Sequence, residues 1–354
     1  MKLKSLTAIR NLHCKRVLVR LDLNVPLRKK KVSDDWKIEK ILPTLQYLIQ
    51  KDAKVVIVSH LGRPNGKKKK KLSLQPVVNH LEKSLGKKVL FLKDKIGSKK
   101  LIKKISALNC GGVAVLENIR FYKEEEKNDK NFAKNIGELV DAYVNDAFAV
   151  SHRAHVSISA ITKVLPSYAG LLLQEEIKNL DKILKNPARP FVVLLGGAKM
   201  STKIPSIKDI KADYILLGGA LDKESKSMAK KLLKKVVFPS DDVVGKKGAI
   251  LDIGPQTVLE YSKYIRKAQT IVWNGPMGYF EKKEFSHGTI ALARLIASRS
   301  SGKVFGVVGG GETIEALKKT KMEQYVDWIS TGGGAMLSFL SGEKLPGLCP
   351  LIKK

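Results

Sequence analysis

Phe191-Val192-Val193-Leu194-Leu195-Gly196-Gly197-Ala198-Lys199 is an apolar run that stops at two glycines and a lysine. Three later runs have the same form. Tyr214–Leu217 stops at Gly218-Gly219, Val304–Val308 stops at Gly309-Gly310-Gly311, and Val326–Ile329 leads through Ser330-Thr331 into Gly332-Gly333-Gly334. Short apolar runs that end in glycine are typical of buried parallel strands. Glycine at the end of a strand lets a ligand approach the backbone and exposes amide N–H groups to it. Ordinary strand-to-helix turns would explain any one run, but the repeated pattern, with a lysine, favours a phosphate-binding edge.

The first half of the chain alternates predicted strands and helices, which indicates parallel βαβ construction. The predicted strands are Arg16–Leu23, Lys54–Ser59, Val89–Phe91, Val113–Glu117 and Ala142–Asn145. The predicted helices are Trp36–Gln50, Leu74–Leu85, Ile102–Ile105 and Asn131–Gly137. Tyr168–Leu184 then has apolar residues at helical spacing, which predicts one long connecting helix before a second βα series.

We therefore expect an α/β protein with two doubly wound parallel-sheet (Rossmann-like) domains joined by a long helix and a hinge. The 354 residues exceed what one ordinary core holds. The expected divisions are 1–166 for the N-terminal domain, 167–188 for the interdomain helix, 189–334 for a shortened C-terminal domain, and 335–354 for a helix and tail that return toward the N-terminal domain.

The charge balance is strongly basic, with 66 Lys+Arg against 33 Asp+Glu and a net charge of +33. Such a field attracts polyanions and anionic ligands. The lysine runs Arg28–Lys31 and Lys67–Lys71 contain no aromatic residue, whereas nucleic-acid modules usually combine basic residues with aromatic ones. A solvated lysine-rich surface is therefore favoured for these runs, with nonspecific polyanion binding at low salt.

The three cysteines, Cys14, Cys110 and Cys349, are isolated and form no C-x-x-C pair. This spacing supports neither a disulfide framework nor a zinc site, and a reducing cytosol fits it best. Residues 1–20 lack the apolar core of a signal peptide, and no stretch approaches the length of a membrane span. We expect a cytoplasmic protein.

Polar and basic residues follow the predicted strand ends of the first half. They are Asp22, Asn24, His60, Arg63, Arg120, His152 and Arg153. The carboxyl ends of parallel strands meet at one crevice, where several cations would bind an anion of more than one charge. Separate surface arginines remain an alternative for each residue alone. With the glycine edge and its Lys199 and Lys203 on a second domain, the layout favours a hinge-closing transferase.

Motifs along nearly the whole chain resemble those of the phosphoglycerate kinase family. In the first half they are Leu18–Pro26, Ser59–Pro64, Glu117–Tyr122, Asn145–Phe148 and His152–His155. In the second half they are Gly196–Lys199, Leu251–Pro255, Trp273–Gly278 and Ser330–Ala335. One such motif alone is a weak signal, whereas this many in order across both domains indicate family membership.

The resemblance implies reversible phosphoryl transfer from 1,3-bisphosphoglycerate to ADP, giving 3-phosphoglycerate and ATP in glycolysis, with Mg²⁺, by a monomer. The residues implied to hold the glycerate are Asp22, Asn24, His60, Arg63, Arg120, His152 and Arg153. Those implied for the nucleotide are Gly197, Ala198, Lys203, Gly218, Gly219, Leu251, Asn274, Pro276, Glu281, Gly311, Glu312 and Thr313, with Glu312 also the metal ligand. Those implied for catalysis are Lys37, Lys199, Gly333 and Gly334. The chemistry would be positioning and charge stabilisation.

Three departures from the family pattern stand out. Lys37 occupies the position of a catalytic arginine, Glu312 replaces an aspartate, and the stretch from Gly218 to Gly254 is shorter than in typical members. These departures favour a non-catalytic or weakly active protein on the same fold that binds polyanions such as nucleic acid. The shortened stretch alone favours a kinase with a changed nucleotide or acceptor. The complete set of basic residues, Lys199 and the glycine edge favour an active kinase.

Overall fold

The computed structural model describes residues 1–353, which divide into two compact units. The first unit is Met1–Ile177 together with the tail that begins at Lys344, and the second is Lys178–Glu343. The chain passes between them within helix α6 (Leu171–Lys185). The predicted interdomain segment, 167–188, contains this division.

The first unit is a parallel sheet with helices between its strands. Its strands are β1 (Arg16–Leu21), β2 (Leu27–Arg28), β3 (Lys31–Val32), β4 (Lys54–Val58), β5 (Val89–Leu92), β6 (Val113–Leu116), β7 (Ala142–Asp146) and β8 (Ser167–Ala169). Its helices are α1 (Trp36–Gln50), α2 (Gln75–Leu85), α3 (Lys99–Ser106), α4 (Lys123–Glu126) and α5 (Lys130–Gly137). The six-stranded sheet has the order β5-β6-β4-β1-β7-β8, and β2 and β3 form a separate antiparallel pair. The chain places β4 on one side of β1 and later places β7 on the other side, so the order in which strands are added reverses at β1. A crevice is therefore expected beyond the carboxyl ends of β1 and β7.

The second unit repeats this architecture. Its strands are β9 (Phe191–Leu195), β10 (Tyr214–Leu217), β11 (Val236–Val237), β12 (Asp242–Val244), β13 (Ile250–Ile253), β14 (Thr270–Asn274), β15 (Phe305–Gly309) and β16 (Trp328–Ser330). Its helices are α7 (Met200–Lys203), α8 (Lys223–Leu232), α9 (Pro255–Lys267), α10 (His287–Ser300), α11 (Gly311–Lys319) and α12 (Gly333–Leu340). The six-stranded parallel sheet has the order β11-β10-β9-β14-β15-β16, which reverses between β9 and β14.

The strands are buried because helices cover both faces of each sheet. All five residues of β9 are buried, and Trp273 of β14 is fully inaccessible to solvent within the core of its unit. Strands buried on both faces have continuous apolar sequences instead of alternating ones, and this pattern allowed them to be predicted from the sequence. Among residues 1–353, none of the helices has the length and apolar character needed to cross a membrane.

The predicted α/β fold is confirmed, but the bounds of several elements differ from the predicted ones, and the main differences are these. Tyr168 belongs to β8, so the long helix begins at Leu171 instead of Tyr168. The third and fourth glycine-ended strands begin later than Val304 and Val326, at Phe305 and Trp328. The central strand β14 was not predicted as a strand at all.

The inference that the cysteines form no disulfide is wrong for two of them. Cys14 and Cys110 are disulfide-bonded, with their Cα atoms 4.6 Å apart, and Cys349 is free and exposed. Spacing along the chain does not predict this pair, because the two residues precede β1 and β6, whose amino ends the sheet brings near each other.

Candidate functional site

The polar residues predicted for anion binding lie after four strands of the first sheet. Asp22 and Asn24 follow β1, His60 follows β4, Arg120 follows β6 and Arg153 follows β7. Since β4, β1 and β7 are adjacent and β6 borders β4, the topology brings these strand ends together at one edge. We call the set Asp22, Asn24, His60, Arg63, Arg120, His152 and Arg153 the cationic basket.

His60 is a neutral hydrogen-bonding residue within this basket. Its side chain is buried, and its Nδ1 lies 3.1 Å from Nη2 of the buried Arg20. Burial and the charge of Arg20 hold the pKa of His60 well below its ordinary value. Because Arg20 can only donate, Nδ1 of His60 accepts and Nε2 carries the proton. That N–H is suited to an oxyanion.

Arg120 has donors that are not used within the described residues. Its Nη1 donates to the carbonyl oxygen of Gly62 at 2.9 Å, but its buried Nη2 has no hydrogen-bond partner among residues 1–353. Burial and the charge of Arg153 lower the pKa of Arg120 to about 10, so the group remains cationic at neutral pH. A buried unsatisfied donor is costly unless a ligand or water completes it.

His152 shows the same pattern. Its Nε2 accepts a hydrogen bond from Arg153 Nε at 3.3 Å, which places the proton on Nδ1. That Nδ1 atom is buried and has no partner in the part of the chain that the structure describes. Burial and the charge of Arg153 lower the pKa of His152 to about 4. Neutral histidines and charged arginines together offer donors to an anionic ligand.

A buried hydrogen-bond network that includes Arg20, the partner of His60, was not predicted from the sequence. Arg20 Nε donates to Ser157 Oγ at 2.8 Å, and Ser157 Oγ donates to Glu125 Oε1 at 2.6 Å. Tyr143 donates its hydroxyl to the carbonyl oxygen of Ser157 at 2.7 Å. Glu125 is fully buried, and burial raises its pKa, although the charge of Arg20 opposes this. The signal available in the sequence was a charged residue, Arg20, inside an apolar strand.

Lys37, at the position of the expected catalytic arginine, is paired with Asp22. Its Nζ lies 2.7 Å from Asp22 Oδ2, and Lys37 is on the first turn of α1. Burial acts to raise the pKa of Asp22, but the charge of Lys37, the hydrogen bond from Lys37 and the charge of Arg20 outweigh it and hold that pKa well below its usual range. Asn24 accepts a hydrogen bond from the Gly62 amide at 2.9 Å. Asp22 and Asn24 thus bind Lys37 and the backbone of the β4–α2 loop.

His155 gives a testable pH dependence, because burial and the charge of Arg120 lower its pKa to about 4. The unfolded chain binds a proton to this residue near pH 6.5, and the folded chain does so only near pH 4. The contribution of neutral His155 is fully present above pH 6.5 and is lost as the pH falls toward 4. As the pH falls from 6.5 to 4, we expect the free energy of unfolding of His155→Gln to decrease less than that of the parent. Urea unfolding at each pH measures both values.

The variant must be compared with the parent at each pH, because the titration of Asp146 changes the stability of both proteins in the opposite direction. Burial raises the pKa of Asp146 to about 7, so its contribution is lost as the pH rises from about 4 toward 7. The difference between variant and parent cancels this contribution. An unchanged difference across the interval would contradict the assignment of a lowered pKa to His155.

The glycine edge of the second unit forms a cleft. Its volume is about 270 Å³, and it lies at the carboxyl ends of β9, β10 and β14. Seven residues predicted for the nucleotide line it: Gly197, Ala198, Gly219, Leu251, Pro276, Glu281 and Glu312. Tyr279 and Ile250, which the sequence reading did not select, also line it. Apolar walls with a few polar groups are typical of a small-molecule site.

Two glycines let neighbouring backbone segments pack closely at this edge. Gly275 has φ +97°, and a Cβ atom there would overlap the carbonyl oxygen of Gly196. Gly219 has φ +72°, and a Cβ atom there would overlap the amide nitrogen of Gly197. Positive φ and the close approach of another backbone both require glycine at these positions. Gly275 and Gly219 therefore allow the close backbone packing that shapes the cleft.

Lys199 and Lys203 differ in their surroundings. Lys203 Nζ donates to the carbonyl oxygen of Gly196 at 2.7 Å, and burial lowers its pKa, although the charge of Glu312 opposes this. Lys199 is exposed at the residue before α7. Lys203 therefore supports the loop, whereas Lys199 presents its charge to solvent next to the cleft-lining Ala198.

Other predicted nucleotide residues hold the loops instead of lining the cleft. Thr313 Oγ1 accepts from the Gly275 amide at 2.6 Å, and Asn274 Nδ2 donates to the carbonyl oxygen of Gly333 at 3.2 Å. Gly333 begins α12, and Gly311 begins α11 after Gly310, which has φ +100°. The structure places Gly218 directly after β10 and Gly334 within the first turn of α12.

Comparison with known proteins gives one consistent result. The family model described as phosphoglycerate kinase matches residues 7–224 and 220–343. A phosphoglycerate kinase of Borreliella burgdorferi (strain ZS7) is 41% identical, with 98% of this chain and 99% of that protein covered. That of Moorella thermoacetica is 41% identical, with 97% of this chain and 98% of that protein covered. The Borreliella alignment runs over 392 positions against 354 residues here, so that relative contains segments that this chain lacks.

Solved structures agree with the sequence relatives. Phosphoglycerate kinase of Pyrococcus horikoshii OT3 has a TM-score of 0.86 at 30% identity, covering 99% of this chain and 98% of that one. The enzyme of Coxiella burnetii has a TM-score of 0.80 at 35% identity, covering 99% of both chains. The matches extend through the cationic basket and the glycine-edged cleft. The chain therefore belongs to the phosphoglycerate kinase family.

Proposed function

We propose that this chain catalyses reversible transfer of a phosphoryl group from 1,3-bisphosphoglycerate to ADP, giving 3-phosphoglycerate and ATP. The observation that carries the proposal is the pair of buried donors, Arg120 Nη2 and His152 Nδ1, that have no partner among residues 1–353. Donors of this kind suit a multiply charged acid such as a phosphoglycerate. Family membership supports a kinase over a non-catalytic protein on the same fold.

We assign the glycerate and its phosphate to the cationic basket. Arginine presents a planar fork of donors that matches phosphate and carboxylate oxygens. Arg120 and Arg153 supply that fork, and His60 supplies a neutral N–H. The buried Arg20–Ser157–Glu125 network fixes His60 from below, which reduces the side-chain freedom that binding would otherwise remove.

We assign the nucleotide to the cleft of the second unit. Leu251 and Pro276 would wall the base, Glu281 would meet the ribose, and the backbone of Gly197 and Ala198 would face the phosphates. Glu312 is exposed, lines the cleft and forms no ion pair with the described residues, so its carboxylate is a suitable hard-oxygen ligand for Mg²⁺. When bound, Mg²⁺ would neutralise charge on the nucleotide phosphates.

The protein's own part in the reaction is to position the substrates and stabilise charge. Lys199 and the amides of Gly333 and Gly334 would donate to the oxygens of the transferring group, where negative charge is spread in the transition state. No covalent nucleophile is required. Hinge closure that brings the acceptor and the phosphoryl group together stays a prediction from the sequence.

The test of this proposal is ATP consumption by the full-length chain in the presence of 3-phosphoglycerate and Mg²⁺. We expect turnover that depends on all three components. Folded protein that consumes no ATP, GTP or other nucleoside triphosphate with 3-phosphoglycerate would overturn the proposal. Turnover with another triphosphate but not with ATP would correct the base assignment only.

Lys37→Arg is expected to raise kcat several-fold. Lysine keeps the charge beside Asp22, but arginine would add a second donor in a fixed plane, and charge-assisted bidentate bonds are stronger than single ones. Steady-state kinetics with 3-phosphoglycerate measures the effect. Lys40→Arg, an exposed position on the same helix, is the matched control and should leave kcat unchanged. An unchanged or lower kcat for Lys37→Arg would contradict the expectation.

We further propose that the protein is a cytoplasmic monomer and that its net charge of +33 gives weak, nonspecific binding of polyanions. Binding of this kind depends on counterion release. Affinity for a generic oligonucleotide should therefore fall steeply with salt and be independent of sequence. Salt-resistant binding of one sequence would contradict a nonspecific origin.

A further inference from the structure

Cys14 and Cys110 lie at the edge of the first sheet opposite to the cationic basket. Cys14 precedes β1 and Cys110 precedes β6, while the basket follows the carboxyl ends of these strands. The two cysteines are 96 residues apart in sequence, but their Cα atoms are 4.6 Å apart, a separation that a disulfide can bridge without backbone movement. The pair belongs neither to the basket nor to the nucleotide cleft.

An imidazole lies beside the pair, and a lysine contacts the residue that follows Cys110. A ligand nitrogen of His13 and both sulfur atoms lie within 4.8 Å of one another. His13 Nδ1 is 3.6 Å from Asp52 Oδ2, and both side chains are largely exposed. Lys87 Nζ donates to the carbonyl oxygen of Gly111, the neighbour of Cys110, at 2.7 Å. The thiolate is the reactive form of cysteine, and the imidazole of His13 is close enough to accept the thiol proton.

We propose that Cys14 and Cys110 are a site of reversible oxidation by a low-molecular-weight disulfide such as glutathione disulfide. One thiolate attacks a sulfur of the glutathione disulfide, forms a mixed disulfide and releases one glutathione thiolate. The second cysteine thiolate then attacks the protein sulfur of that mixed disulfide and releases the second glutathione. Two thiols lose two electrons and two protons, and one glutathione disulfide becomes two glutathione molecules. The imidazole of His13 assists as the nearby proton acceptor.

The bond ties strands that are not hydrogen-bonded to each other. In the sheet order, β4 lies between β6 and β1, so the disulfide spans the amino end of β4. A crosslink across 96 residues lowers the conformational entropy of the unfolded chain. Because this stabilises the folded state, the disulfide should raise the melting temperature of its unit by roughly 5–10 °C. Turnover should be the same in both forms, because the pair is at the opposite end of the strands from the basket.

The experiment uses the full-length chain with Cys349→Ser, which removes the free exposed thiol. The protein is equilibrated in glutathione buffers of increasing oxidant with a chelator, alkylated with iodoacetamide and weighed by mass spectrometry. We expect the two thiols to disappear together, with loss of two hydrogens and no bound glutathione in the product. Calorimetry should show the higher melting temperature in the oxidised form and its reversal by dithiothreitol. His13→Gln should slow the exchange.

Two results would overturn the proposal. One is a stable glutathione adduct on either cysteine, or two free thiols, in the most oxidising buffer. The other is an equal melting temperature for the oxidised and reduced forms of the same protein, a comparison that needs no substitution at the pair. Cys14→Ser in the same background should abolish the redox dependence of the melting temperature. An unchanged exchange rate in His13→Gln would remove the imidazole from the mechanism.

Discussion

Lys199→Ala is expected to lower kcat by about 10²–10³-fold, the range found when one preorganised donor to a transition-state oxyanion is removed. Lys199 follows the glycines at the end of β9 and is exposed next to Ala198, which lines the cleft. A charge that meets the phosphoryl group mainly during transfer affects kcat more than the KM for ATP. Initial rates of ATP consumption with saturating 3-phosphoglycerate measure both parameters.

Lys208→Ala is the matched control for this variant. Lys208 is an exposed lysine of the same unit that is not among the residues lining the cleft. Lys208→Ala lowers the net charge of the unit by the same amount as Lys199→Ala but leaves the cleft intact. The kcat of Lys208→Ala should therefore equal that of the parent. If both variants lowered kcat equally, the effect would come from the net charge of the unit and not from contact between Lys199 and the substrate.

The fold was predictable because its strands are buried on both faces. Runs such as Phe191–Leu195 and Tyr214–Leu217 were predicted with the bounds that the structure shows, since an uninterrupted apolar run bounded by glycine has few other interpretations. The strand β14 was missed because its apolar core is only Ile271–Trp273, flanked by polar Thr270 and Asn274. Its place between β9 and β15 comes from long-range pairing, which no local pattern contains.

The cleft of the second unit was more predictable than the roles of individual residues around it. Glycine at strand ends is a local signal, and Gly197 and Gly219 do line the cleft. Asn274 and Thr313 were assigned to the nucleotide, but their side chains hydrogen-bond to the backbone at Gly333 and Gly275. Sequence identifies a loop near a ligand, whereas the choice between contacting the ligand and bracing the loop depends on three-dimensional packing.

Arg20 and the cysteine pair could not be assigned for a related reason. Arg20 binds Ser157, 137 residues away, and that serine binds Glu125, so the network is assembled from three separate elements. Cys14 and Cys110 are brought together in the same way by the starts of β1 and β6. A contact that connects distant residues has no periodicity to detect in one sequence.

Arg120→Ala is expected to raise the KM for 3-phosphoglycerate by about 30-fold or more, since truncating one partner of a buried charged pair costs about 2–5 kcal/mol. Arg120 is buried, cationic at neutral pH and holds an unused donor at Nη2. Because the substitution lies in the first unit, the KM for ATP should change little. Steady-state kinetics with each substrate varied in turn measures the two constants.

Arg120→Lys separates charge from geometry. Lysine keeps a cation but offers no planar fork, so its KM for 3-phosphoglycerate should lie between those of the parent and Arg120→Ala. Arg28→Ala, at an exposed position on β2, controls for loss of a positive charge and should leave both constants unchanged. Melting temperatures must be compared as well, because Arg120 Nη1 also holds the carbonyl oxygen of Gly62. A folded Arg120→Ala protein with the parent's KM for 3-phosphoglycerate would show that the unpaired donor does not face the substrate, and the cationic basket would then lose its central member.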